Sequence, residues 1–363
     1  MKKFPLILSL ILIISLLAGC AGTPVVYYTD CTCPADSHVS VETPAAPEVV
    51  PEAPVVEGAL KTGMVISTSL KKSASATADA AGKADYDMTM VAVLVDDNGV
   101  IQSCIIDGIA SSVEFDATGA ITTDLTAGPQ TKNELGENYG MVAWGGAIAE
   151  WDAQAAALAN FAVGKTVEEL KNGAVSESGF APEGSDLASS ATIYLGGYVS
   201  AIEAAVANAK HLGAQGGDTL KMAVTTAISG SKSADAENNG NAQLDVDMIA
   251  MTMNGETITS AAIDSVQAKV AFDATGAITS DISAPVATKN ELGENYGMVA
   301  WGGAIAEWDA QAAAFAAYIT GKTPAEVAGI AITEATKPAD ADLSASVTIS
   351  IIGFLNLVAK AAQ

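Results

Sequence analysis

Thr192 and Thr348 are the side chains of this sequence best placed for chemistry. Each ends a run of small and hydroxylic residues, Asp186-Leu-Ala-Ser-Ser-Ala-Thr192 and Asp342-Leu-Ser-Ala-Ser-Val-Thr348. Each run leads into an apolar stretch with helical spacing. A hydroxyl at the start of a helix meets unpaired backbone N–H groups and positive partial charge. The four tryptophans form a second set. Trp144 and Trp151, like Trp301 and Trp308, stand about two helical turns apart, near Tyr139 and Tyr296 and several glycines. Aromatics around glycine-rich loops make either a flat ligand site, for a flavin ring or a sugar, or core anchors and tight turns. Glu134, Glu137 and Asn138, with Glu291, Glu294 and Asn295, lack the alternating ligand spacing of an EF-hand and read as a solvated helix face.

Other chemistries have little to work with. The only histidines are His38 and His211, which leaves histidine catalysis and histidine-bound zinc almost without material. No Ser-His-Asp, Cys-His or paired catalytic carboxylate set is apparent. The formal charge is -25, from 42 acidic residues against 17 basic ones, and every basic residue is lysine. Arginine is the side chain that grips phosphate bidentately, so an acidic chain without it is a poor partner for nucleic acid. Cys31-Thr-Cys33 is too closely spaced for an unstrained bridge, and Cys104 sits in a strand-like run where a free thiol behaves as a small hydrophobe. The site is therefore expected to be non-catalytic.

The elements that must position these residues occur twice. Thr131–Ala157, which holds Trp144 and Trp151, recurs without a change as Thr288–Ala314, and Phe115–Thr122 recurs as Phe272–Thr279, in both cases 157 positions on. That period is domain-sized and too long for a solenoid repeat. It places one repeat domain at 59–212 and the other at 218–363, with Gly213, Gly216 and Gly217 at the joint. Each copy opens with a hairpin: Met88 to Val95, the turn Asp96-Asp-Asn-Gly99, then Val100 to Ile106, and in the second copy a turn at Asn254-Gly255. A second hairpin is expected around Asp116–Gly119 and Asp273–Gly276. The Thr-Gly-Ala-Ile-Thr segments there read as turns.

Ile148, Trp151, Ala155, Leu158 and Ala162 form one apolar helix face that Gly164 ends. Thr166 to Glu169 and Thr323 to Glu326 read as capping boxes. A strand over Ala191 to Leu195 and a helix over Tyr198 to Ala209 close the copy. Strands, helices, strand and helix in one repeat predict an α+β fold: two tandem copies of one domain, each a largely antiparallel sheet with packed helices.

The N-terminus carries a different signal. Lys2 and Lys3 precede an apolar run from Leu6 to Leu17, too short for a comfortable membrane span. It ends in Leu17-Ala-Gly-Cys20, which resembles the lipobox of bacterial lipoproteins. The resemblance implies that residues 1–19 are a signal peptide and that Cys20 carries lipid. The mature chain is then expected on the extracytoplasmic face of the cell membrane, anchored by that lipid. Residues 20–58, with Pro24, Pro34, Pro44, Pro47, Pro51 and Pro54, read as an extended, disordered tether.

The runs ending in Thr192 and Thr348 resemble Asp-x-x-Ser-Gly-Ala-Thr-x-Ser/Thr, the motif of bacterial FMN-binding domains found in sodium-pumping quinone reductases and in flavinylated surface lipoproteins. In that family a flavin transferase attaches FMN to the motif threonine by a phosphoester. The resemblance implies covalent FMN on Thr192 and Thr348, and Asp186 and Asp342 as recognition residues for the transferase. The Trp-bearing block, with Trp144, Trp151, Trp301 and Trp308, would wall the flavin ring, and a redox partner would meet the protein at the cell surface. The chain departs from the motif at Ser190 and Ser346, where the family has glycine, and also at Tyr194, Ala345 and Val347. A surface-binding or structural lipoprotein with no cofactor is the alternative.

Overall fold

The computed structural model describes residues 58–363. Cys20, the signal segment and residues 20–57 of the tether, including Cys31, Cys33 and His38, lie outside the described residues. The first half runs β1 (Lys61–Ser69), β2 (Gly82–Val95), β3 (Ile101–Phe115), α1 (Lys132–Leu135), α2 (Met141–Gly145), α3 (Trp151–Ala162), α4 (Val167–Ala174) and α5 (Gly196–Ala207). The second half repeats the order with β4 (Thr219–Ala227), β5 (Gly240–Asn254), β6 (Thr257–Phe272), α6 (Lys289–Leu292), α7 (Met298–Gly302), α8 (Trp308–Ile319) and α9 (Pro324–Ala328). It ends with α10 (Ala341–Ser344) and α11 (Ile352–Ala361). Each half holds one three-stranded antiparallel sheet, β1-β2-β3 or β4-β5-β6, so the class is α+β.

The alternation along β2 shows how the layers stack. Ala84, Tyr86, Met88, Met90, Ala92 and Leu94 point to one face and join a core that also takes Ala242, Leu244, Val246, Met248 and Ala250 of β5. Val91, Val93 and Val95 point the other way, into a second core under α3 and α5. Ile249 and Met251 do the same under α8 and α11. A strand buried on both faces reads as a continuous apolar run, as Met90–Val95 does, whereas Lys83, Asp85 and Asp87, on the outer face of the same strand, are half-buried and polar. The architecture is therefore helix, sheet, sheet, helix. The central layer is shared: Phe115 and Phe272 stack with centroids 3.9 Å apart and planes 1° apart. Each ring lies over a glycine of the neighbouring strand, Gly82 or Gly240, where a Cβ would overlap it.

The turns behave as the sequence suggests, with one addition. Asp96 Oδ1 accepts from the N–H groups of Asn98 and Val100, closing the β2–β3 hairpin. The Asp116–Gly119 and Asp273–Gly276 turns form, but the returning chain makes only the single bridges Phe115↔Ile121 and Phe272↔Ile278. These turns clasp the opposite half instead. The Ala76 N–H donates to the Gly276 carbonyl and the Ala234 N–H to the Gly119 carbonyl, each at 2.8 Å. The capping boxes at Thr166–Glu169 and Thr323–Glu326 are present.

One element differs from expectation. Residues 191–195 are not a strand, and neither are their counterparts at 347–351. Their composition suits a strand, but no open strand edge receives them. The N–H groups of Thr192 and Ile193 are taken by a side chain, so the segment is a loop entering α5.

Candidate functional site

Gln154 organises the neighbourhood of Thr192. It sits on the buried side of α3, 0% exposed. Its Oε1 accepts from the Thr192 N–H at 2.8 Å, the Thr192 hydroxyl at 3.2 Å and the Ile193 N–H at 3.2 Å, while its Nε2 donates to the Ala149 carbonyl at 2.8 Å. One amide thus ties the threonine loop to the segment that precedes α3. Gln311 does the same for Thr348 and Ala306, with distances of 2.8, 3.2 and 2.8 Å. Thr192 is exposed and Thr348 half-buried. Each stands four residues before the first residue of a helix, α5 or α11, that is long enough to have a significant dipole. Ser190 has φ −117°, an ordinary right-handed conformation, so serine in place of glycine carries no backbone strain there.

The segment held by Gln154 carries an unusual surface. Trp144 on α2 is 91% exposed and Trp301 on α7 is 90% exposed. Val142 and Ile148, and Val299 and Ile305, are exposed around them. Monomeric proteins seldom leave contiguous apolar groups in water without a use for them. The geometry is actively maintained: Glu150 accepts from the N–H groups of Met141 and Val142 at 2.8 and 3.0 Å, and Glu307 repeats this for Met298 and Val299. The Trp144 indole folds over Gly140, whose φ of +81° and lack of Cβ admit it. Ile148, assigned by its spacing to the apolar face of α3, lies before that helix and faces solvent.

Trp151 and Trp308 are placed differently from their partners. They are buried at the start of α3 and α8. The Trp151 Nε1 donates to the Tyr198 hydroxyl at 3.0 Å. A lysine ammonium lies over each ring: Lys132 is 4.8 Å from the Trp151 centroid and 5.4 Å from that of Tyr139, and Lys289 is 4.7 Å from the Trp308 centroid. Burial pulls both lysines below their usual range, against the attraction of nearby aspartates. Such cation–π contacts are worth roughly 2 kcal/mol when desolvated. Asp186 and Asp342 are exposed, beside the backbone turns that precede the threonines. Among the described residues no group of histidine, cysteine and carboxylate side chains could hold a metal ion. The Cys104 thiol is pushed up to about 12 by burial.

Comparison with protein-family models, with curated proteins and with solved structures finds no match. The site is therefore interpreted from its own geometry. Sequence reasoning named the threonines and the tryptophans but missed Gln154, Glu150 and Lys132 with their counterparts. A signal for Gln154 existed: it is a lone amide in Trp-Asp-Ala-Gln-Ala-Ala-Ala, three residues from Trp151 and so on the buried side of the helix.

Asp264 gives the structure a pH signature. Burial pushes its carboxyl up to about 6, opposed by hydrogen bonds from Thr288, Ser265 and Asn290. The folded state then keeps a proton that the unfolded chain loses near the ordinary value of 3.8. This group's contribution to stability is therefore full below that value, falls as pH rises from about 4 to about 6, and is lost above. The shift corresponds to about 3 kcal/mol at most. Asp264→Asn should gain roughly 2 kcal/mol on the parent between pH 4 and pH 7, read by urea unfolding at both values. A stability difference between the two proteins that does not change with pH contradicts this.

Proposed function

We propose that this chain is a lipid-anchored, extracytoplasmic protein built from two copies of one domain, each carrying FMN on its motif threonine, Thr192 or Thr348. The single observation that carries the reading is the coupling of three features in both halves. A threonine, exposed in one half and half-buried in the other, precedes a helix, and a buried glutamine holds both its backbone N–H and its hydroxyl. The same glutamine holds the segment that presents an exposed tryptophan. Bound there, FMN would supply one- and two-electron transfer. The chain's own groups have simpler duties. Thr192 offers the oxygen for the phosphoester, and the start of α5 favours the phosphate's charge. Trp144, Val142 and Ile148 would give the flavin ring an apolar wall that water otherwise wets. The Gln154 amide would keep wall and attachment point at a fixed spacing. The protein would pass electrons at the cell surface without a substrate of its own.

Mass spectrometry on protein from its native host tests this. The expected result is a mature chain beginning at diacylglyceryl-modified Cys20, with FMN less water added at Thr192, Thr348 or both. Unmodified threonines, in a host that flavinylates other proteins, would overturn the flavin reading. The second reading, a surface-binding lipoprotein with no cofactor, is favoured by the same exposed tryptophan segments taken as docking patches. It predicts those threonines unmodified.

A further inference from the structure

The two halves differ at one place where their symmetry predicts likeness. α5 and α11 pack alike: Ala201, Ile202 and Ala205 are buried on the first, and Leu357, Val358 and Ala361 on the second. This correspondence sets Lys360 of α11 opposite Ala204 of α5. Lys360 reaches across to the other half. Its ammonium pairs with Glu134 Oε1 and donates to the carbonyl of Val224 on β4. Glu134 is free to take this partner because its other oxygen, Oε2, is occupied in capping α1 by the Thr131 N–H.

The related place in the first half has the same acceptors and no lysine. Glu291 caps α6 through Oε2, which accepts from the Thr288 N–H at 2.8 Å. It makes no ion pair among the described residues. Ile66 occupies on β1 the position that Val224 occupies on β4, since the two pair with Met90 and Met248 in equivalent registers. Between these two acceptors lies a cavity of about 520 Å³, bounded by β1, β6, α6 and α8 and lined by both Ile66 and Glu291. Its floor includes the alanine face of α8, Ala313 and Ala317, and its polar lining adds Asp264 and Asp309 against one basic residue, Lys210. The volume is in the range of small-molecule sites, which are mostly apolar with a few placed polar groups.

We propose that this cavity is a binding site for a small primary alkylamine, its ammonium held by Glu291 and the Ile66 carbonyl and its stem laid along α8. The chain itself supplies the template, because Lys360 is such an amine bound by the same two acceptor types in the sister half. A negatively charged lining in a chain of net charge -25 also concentrates cations. The site is independent of any flavin at Thr192 or Thr348.

The test uses the full mature chain and 1,5-diaminopentane, followed by calorimetric titration, with n-pentanol as the uncharged control. The expected result is saturable binding of one diamine per chain and none of the alcohol. Glu291→Gln should weaken binding at least tenfold while leaving the helical cap, which glutamine can still supply. Ala204→Lys should abolish binding and raise the melting temperature, by bringing an ammonium to Glu291 and the Ile66 carbonyl as Lys360 brings one to Glu134 and the Val224 carbonyl. Lys360→Ala should raise the stoichiometry from one to two. Nonspecific attraction to an acidic surface would hardly notice one carboxylate among 42 acidic residues. Binding unchanged in both Glu291→Gln and Ala204→Lys overturns the proposal. So does the absence of saturable binding to the parent, including the case in which binding appears only after Lys210→Ala because Lys210 fills the place itself.

Discussion

Truncating Phe272 to alanine should cost about 3–5 kcal/mol of stability and should unfold both halves together. The ring is fully buried and stacks on Phe115 at 3.9 Å between centroids, with planes 1° apart. Parallel rings this close are in face-to-face van der Waals contact, so dispersion adds to the burial of both rings. The hole left behind could not refill. Gly240, beneath the ring, has no side chain to move in, and Phe115 is fixed over Gly82 in the same way. Because the central core takes residues from β2 and β5 together, its loss is felt by both sheets. Urea unfolding should show one transition by circular dichroism, shifted in midpoint with its slope kept. The double variant Phe115→Ala, Phe272→Ala should be less damaging than the sum of the singles by about 1 kcal/mol or more. A loss under about 1.5 kcal/mol, or two separate transitions, would reject a shared central core.

That shared core marks where the sequence stops being informative. Within one repeat the signals are local and physical, and they are legible. Asn98-Gly99 and Asn254-Gly255 turn the hairpins, Thr166 and Thr323 cap helices with glutamates three residues on, and the spacing of Trp151, Ala155, Leu158 and Ala162 sets the inner face of α3. What depends on distant partners is not legible. Nothing in the pattern around Phe115 says that its ring will meet Phe272. The Asp116–Gly119 turn looks like the corner of a second hairpin, and its return strand dissolves because the turn's carbonyl is used by the other half. Residues 191–195 have strand-like composition, yet their N–H groups go to Gln154, 38 residues away. Trp144 could be read as core or as ligand wall. Its exposure follows from Glu150 gripping the start of α2 and from Gly140 admitting the indole, and neither contact leaves a periodic trace.

Replacing Gln154 by leucine should cost roughly 2–4 kcal/mol and, under the proposed flavin reading, should leave Thr192 bare while Thr348 is loaded. Leucine fits the space on α3 but offers no acceptor for the Thr192 and Ile193 N–H groups and no donor for the Ala149 carbonyl. Each buried backbone group left without a partner costs about 1–3 kcal/mol, and the total is reduced because Thr192 is exposed and its loop can turn to water. The relaxed loop would no longer hold the hydroxyl at the start of α5 or keep the Trp144 segment beside it. A flavin transferase would then meet a mobile threonine, and the flavin would lose its wall. Gln311→Leu should show the mirror result, with Thr348 empty and Thr192 loaded. The readout is the ratio of flavinylated to bare peptide at the two threonines, measured by mass spectrometry in the same preparation. The untouched half then serves as the internal standard for transferase supply and for folding. A drop of at least tenfold confined to the half bearing the substitution is expected. Equal loading of the two threonines in Gln154→Leu would show that the glutamine braces the fold without positioning the attachment site. An equal fall at both would trace the loss to global unfolding instead of to the geometry at Thr192.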